Sequence, residues 1–194
     1  MKLIRWGKKA IAHANGPEAI KKAVKAGVDS TVHGFYINEE CAELMVEKNV
    51  ILEPTTLVIK QIVDHVKGEM LDTLETKANA YWEIKKKEFK MILQKGVAIS
   101  FSSDAGCLYM YHGENAKELA MCVELGMSPM GAIVSATKTA SCAIGMEDEI
   151  GTIEKGKLAD IVIVNGDPLQ NISILCEENK IEIVMKDGQI VKTR

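Results

Sequence analysis

The stretch Lys8 to Gly34, KKAIAHANGPEAIKKAVKAGVDSTVHG, constrains the fold more than any other, because it sets two short apolar segments either side of a helix and ends each with a histidine. Lys9 to Ala14 stops at the turn signal Asn15-Gly16, which predicts a strand with His13 at its carboxyl end. Pro17 suits a first helical position, and Ile20, Ala23 and Val24 share one face at helical spacing. Gly27 closes that helix, Val28 to Val32 reads as a second strand, and His33-Gly34 follows. A strand, helix and strand of this length connect in parallel, so both imidazoles leave the sheet on one rim. On a β/α barrel that rim is where active sites are built.

The same alternation continues. Asn38 is placed to cap a helix with Cys41, Leu44 and Met45 on its apolar face, and Asn49 to end it. Val50 to Leu52 is a third strand, leaving into Glu53-Pro54-Thr55-Thr56, where Pro54 lacks the donor a ladder needs. A long helical region follows, with Leu71, Leu74, Ala78, Tyr81, Trp82, Phe89, Ile92 and Leu93 on a broad face, lysines opposite, and Gly96 as its stop. Val97 to Ser103 reads as a fourth strand with Asp104 at its end, followed by a glycine- and tyrosine-rich loop from Ala105 to Gly113 that carries His112. Helices are expected from Asn115 to Leu125 and from Pro129, the latter capped by Ser128. Strand, loop and helix in fourfold repetition make half of an eight-stranded β/α barrel, or a four-stranded parallel sheet. From about Glu147 the pattern changes to short apolar runs and turns. Ala159 to Val164 and Ile181 to Met185 read as strands, the second turning at Lys186-Asp187-Gly188 into Gln189 to Lys192. The expected fold is therefore α/β, a half barrel over residues 1–146 with a small β module over 147–194.

Composition narrows the function classes. Lys+Arg 24 against Asp+Glu 27 gives a net charge of −3, and no basic block suggests nucleic acid. The five cysteines, at positions 41, 107, 122, 142 and 176, form no CxxC pair and cannot all pair within the chain, which fits reduced thiols and a cytoplasmic location. The first residues have no apolar core long enough for a signal peptide, and no run approaches a membrane span. The sequon Asn171-Ile172-Ser173 has no meaning in that setting.

His13, His33 and Asp104 thus stand at three strand exits, and all three are metal-ligand types. Zinc accepts imidazole nitrogen and carboxylate oxygen at about 2.0 to 2.2 Å, so side chains from neighbouring strand ends can converge on one ion. Lone residues beside turns commonly serve the backbone instead; three at successive exits, skipping only the proline-bearing one, are harder to assign to that role.

The segments AHANGPEAIKKAVKAGVDSTVHG, ILEPTTL, VAISFSSDAG with HGENAKEL, and IGTIEKGKLADIVIVNGDPL together resemble the amidohydrolase superfamily, most closely its imidazolonepropionase-like and Xaa-Pro dipeptidase-like branch. The resemblance covers essentially the whole chain. It implies a β/α barrel with a small composite β-sandwich and one or two divalent metals, usually zinc, at the barrel mouth. By the same resemblance His13 matches the ligand on the fifth strand and His33 that on the sixth. Asp104 matches the eighth-strand aspartate, a metal ligand that also acts as the catalytic proton carrier. Ser103 stands where the family often has threonine. His112-Gly113 matches a loop pair with a substrate role, and Tyr36 lies where it could bond a substrate carboxylate.

What is missing matters as much. Family members carry a His-x-His pair on the first barrel strand and a lysine on the fourth; no His-x-His occurs here, and Lys8 and Lys9 precede the first predicted strand. The chain resembles the carboxyl half of such an enzyme. Two His and one Asp are too few for a two-metal site, although they can make a three-ligand site with open positions. A half barrel also leaves strand edges unpaired, so an oligomer or a complementary amino-terminal fragment is expected. His65 in a polar helix, Tyr109 and Tyr111 in a loop, Asp160 at a strand start and Asp167-Pro168 at a turn have bland structural readings, and the cysteines read as small buried hydrophobes.

Two functions follow. One is metal-dependent hydrolysis of C–N bonds in a small-molecule or dipeptide-like substrate, the missing half being supplied. The other is a non-catalytic half barrel kept as a scaffold or interaction protein. A dipeptide, an N-acyl amino acid, a cyclic amide and an imidazolone ring all fit the first.

Overall fold

The computed structural model describes residues 7–66 and 72–194. Its first unit is β1 (Ile11–Ala14), α1 (Pro17–Ala26) and β2 (Ser30–His33). Gly27, at φ 86°, ends α1 in the left-handed conformation and returns its N–H to the carbonyls of Ala23 and Val24, while Ile20 and Val24 face the core. α2 (Glu39–Lys48) starts where the Asn38 side chain accepts the Cys41 N–H and stops at left-handed Asn49. β3 (Ile51–Glu53) completes a parallel sheet in the order β1-β2-β3. α1 and α2 cover it, burying Ile20, Val24, Cys41, Met45 and Leu52 in one core with Phe89 and Ile92.

The expected fourth strand is corrected. The segment 97–103 meets β3 through a single parallel bridge, Leu52 to Ile99, held by Leu52 N–H to Ala98 O at 2.8 Å and Ser100 N–H to Leu52 O at 2.9 Å. In a parallel ladder the next donor would be residue 54, which is proline, so the pairing stops. On the opposite side of the segment, Phe101 N–H donates to the carbonyl of Ser135 at 3.0 Å.

The long helical region is two helices, α3 (Thr56–Val66) and α4 (Asp72–Lys95). Trp82, Phe89 and Ile92 are buried along α4 and Gly96 stops it at φ 75°. Leu71 lies outside the described residues, as do the side chains of Leu74 and Ala78. α5 (Lys117–Glu124) and α6 (Pro129–Ala136) follow, with the Ser128 hydroxyl accepting the Gly131 N–H. A further helix, α7 (Lys138–Ile144), has too little apolar periodicity to be read from sequence.

The tail forms an antiparallel sheet of β4 (Ile161–Val164), β5 (Ile181–Lys186) and β6 (Gln189–Thr193). Asp187 and Gly188, both at positive φ, make the two-residue turn that joins the last two strands. Before it, a 3₁₀ segment (Ile172–Cys176) packs on α5 and places Ile172 in the main core. Among the described residues no helix is long and apolar enough to cross a membrane.

Candidate active site

His13 and His33 belong to adjacent strands, but His33 is in register with Ala14 and His13 with Val32. Side chains alternate along a strand, so in fully extended backbone the two imidazoles would face opposite ways. They meet because His33 has φ 68°, a left-handed value that swings its Cβ. His33 Nε2 then lies 3.0 Å from His13 Nδ1, with the rings edge to face at 4.5 Å between centroids.

The hydrogen bonds around this pair fix its protons. Phe35 N–H donates to Asn15 Oδ1 at 3.1 Å, which leaves the Asn15 amide nitrogen as the donor to His13 Nε2 at 3.2 Å. Neutral His13 must then carry its proton on Nδ1 and donate it to His33 Nε2. His33 in turn carries its proton on Nδ1 and donates to the Thr55 hydroxyl at 2.8 Å. Thr55, fully buried, is itself left-handed at φ 43°, a position costly for a β-branched residue. Burial holds His33 below the usual imidazole range; the nearby His13 adds to that shift, and the Asp104 carboxylate opposes it.

Asp104 is exposed at the end of the bridging segment, also left-handed, at φ 54°. It acts on His33 through its charge. Among the described residues no group of three His, Cys, Asp or Glu is arranged to hold a metal ion. At the histidine pair the donor chemistry fits zinc, but the two facing nitrogens, 3.0 Å apart, share the His13 proton, so an ion there would have to displace that proton. His112 is exposed on the loop after Asp104, its Nε2 near Gly106. Tyr36 is exposed beyond β2, and its ring packs on Tyr81 at 5.1 Å. His65 lies on the surface as read, and its ring stacks on Tyr109 at 4.0 Å.

A buried polar cluster lies behind the rim. Lys85, only 1% exposed, donates to the His33 carbonyl at 3.0 Å and sits over the Phe35 ring. Burial pulls its ammonium down to about 8, while the charges of Glu88 and Glu118 oppose that. Glu118, on α5, is fully buried and accepts the N–H groups of Thr56 and Leu57 at 2.7 and 2.5 Å, capping the start of α3. Burial pushes Glu118 up to about 7, against the lowering effect of those two N–H groups. Burial also raises the Glu88 carboxyl and the Cys122 thiol. Sequence reasoning placed the α4 lysines on the solvated face. Lys85, however, falls three residues after Trp82 and four before Phe89, on the apolar stripe, and that spacing was the available signal.

The chain is α/β, with imidazoles at adjacent exits of a parallel sheet, and the solved structures it resembles are TIM-barrel amidohydrolases. A Xaa-Pro dipeptidase with bound methionine superposes with a TM-score of 0.86 at 36% identity, covering 96% of this chain and 45% of that one. The ochratoxinase of Aspergillus niger superposes at 0.89, covering 98% and 43%. In sequence, ochratoxinase is 30% identical over 183 residues, 93% of this chain and 37% of its own length. The imidazolonepropionase of Symbiobacterium thermophilum is 39% identical over 70 residues, 36% of this chain and 16% of its own. The amidohydrolase family model matches residues 2–191, and the chain belongs to that family. It spans less than half the length of these relatives.

Proposed function

We propose that the chain is the carboxyl-side half of a metal-dependent hydrolase of C–N bonds, acting on an amide, peptide or cyclic amide of small-molecule or dipeptide size. In this reading β1, β2, β3 and the bridging segment 97–103, within residues 1–146, take the places of the fifth to eighth strands of a (β/α)8 barrel, and residues 147–194 belong to a β-sandwich shared with amino-terminal sequence. The observation that carries it is the histidine pair, two imidazole nitrogens held 3.0 Å apart at adjacent strand exits in a chain of the amidohydrolase family. The substrate class rests on the named activities of its relatives, an ochratoxinase, a Xaa-Pro dipeptidase and an imidazolonepropionase.

His13 and His33, with Asp104, would hold a divalent cation, zinc by the chemistry of the donors; when bound, it supplies Lewis-acid activation of the attacking water. His33 keeps Nε2 as its acceptor nitrogen because Thr55 occupies Nδ1, and a cation there would replace the His13 proton that Nε2 accepts. The Asp104 carboxylate takes the proton released as water attacks the carbonyl and returns it to the leaving nitrogen. His112 and Tyr36, on loops beyond strand exits, contact the substrate. The remaining ligands come from the amino-terminal part that the relatives possess, joined in one polypeptide or supplied as another.

Complementation tests this. The 194-residue chain with zinc alone should hydrolyse Xaa-Pro dipeptides and N-acyl amino acids at or near background. Adding a fragment with the first four barrel strands should raise the rate at least about a hundredfold, and Asp104→Asn should remove that gain with assembly intact. A complex that assembles without activity would favour the scaffold reading, and full activity of the Asp104→Asn complex would put the proton carrier elsewhere.

A further inference from the structure

The left-handed turn at His33 has to be held from outside, since neither the strand nor the residue type favours it. His33 and Gly34 follow one another at φ 68° and 60°, and a Cβ at Gly34 would stand 2.6 Å from the Leu52 side chain. Two buried charges reach this place from helices distant in sequence. Lys85 on α4 donates to the His33 carbonyl at 3.0 Å. Glu118 on α5 binds the first two N–H groups of α3, directly after Thr55, the residue that receives the His33 ring proton. α4 and α5 each send one of these groups to the exits of β2 and β3.

We propose that Lys85 and Glu118 are positioning residues for the histidine pair: Lys85 fixes the main chain of His33, and Glu118 fixes Thr55 so that the ring keeps its proton on Nδ1 and presents Nε2. Neither touches the reacting groups. Without the Lys85 donor the buried carbonyl loses its partner, and the residue relaxes from the left-handed region and takes the ring away from Thr55 and His13. This deepens the metal-site reading above for its zinc consequence, while the ring geometry stands without it.

The test uses the full chain labelled with ¹⁵N, free of metal, at a pH where His33 is neutral. Long-range ¹H–¹⁵N correlation of the His33 ring should show one tautomer, protonated at Nδ1, in the parent. Lys85→Met should give mixed tautomers while the methyl signals of Ile20, Val24 and Met45 stay in place. Because that variant leaves Glu118 buried without its counter-charge, the double variant Lys85→Met/Glu118→Gln is measured beside it. It carries no unpaired buried charge and should also show mixed tautomers. Zinc titration of both should show affinity at least about tenfold weaker than the parent's. A single Nδ1–H tautomer in the double variant, or parent-like zinc affinity in a variant that has lost the tautomer, overturns the proposal. If the parent takes up no zinc, the metal reading fails, and the ring spectra still decide the positioning.

Discussion

The two sheets of the molecule are specified in opposite ways. In the parallel sheet the decisive contacts are distant: Lys85 reaches back 52 residues to His33, and Glu118 reaches back 62 to Thr56. In the antiparallel tail, β5 and β6 are joined across Asp187-Gly188, and the turn sets the pairs Lys186–Gln189 and Met185–Ile190, beyond which the register shifts by one residue. Burial differs as sharply. Leu52 of β3 is fully buried, whereas Val162, Ile190 and Val191 of the tail sheet are each more than half exposed. A parallel connection brings its strand exits together only with helices packed behind them, and those helices can carry charges to the rim. A hairpin needs no such support, and its outer side chains stay free for a neighbour.

If that contrast is right, perturbations at the rim should cost far more than matched perturbations in the tail. The largest effect is a pH dependence. The Glu118 carboxyl titrates at about 7 when folded against 4.5 as its ordinary value, so between those pH values the folded chain binds more protons than the unfolded one. The stability due to neutral Glu118 is complete below pH 4.5 and is lost as pH rises through 7, a swing of about 3 kcal/mol. Urea unfolding across this range should show the fall in the parent and a flatter profile in Glu118→Gln; equal slopes would remove Glu118 as the cause. Gly34→Ala comes next, with a loss of about 2 kcal/mol from the left-handed backbone and the contact with buried Leu52. Thermal unfolding measures it.

In the tail, Gly188→Ala sits at φ 73° with open space around the new methyl, so only the backbone term remains, about 1 kcal/mol. Ile190→Thr, on an exposed strand position, should change stability by less than about 0.5 kcal/mol in the chain alone. The same substitution should weaken assembly with an amino-terminal fragment, read by sedimentation. A loss at Ile190 as large as that at Gly34 would erase the distinction between the two sheets.

What could be read from sequence follows the same division. Asn38, Asn49, Gly27 and Ser128 act within a few residues of themselves, and each ends or starts a helix as its chemistry dictates. The hairpin at Asp187-Gly188 is local for the same reason. The meeting of His13 and His33 was legible from two strand ends in a β/α/β unit, but the left-handed turn that accomplishes it was not. The fourth strand was misread because its pairing depends on Pro54 of its neighbour. Lys85 was grouped with the lysines opposite the apolar face, although its place on the stripe with Trp82 and Phe89 gives it a buried role. Thr55 and Glu118 act through partners that no local pattern names.

Zinc uptake by the purified chain tests the histidine pair most directly. Elemental analysis after dialysis against low micromolar zinc should find about one weakly held ion per chain, absent from both His13→Ala and His33→Ala, since either change leaves only two of the three proposed ligands. No zinc above background in the parent, or parent-like zinc in both alanine variants, would contradict the assignment of these two imidazoles as metal ligands.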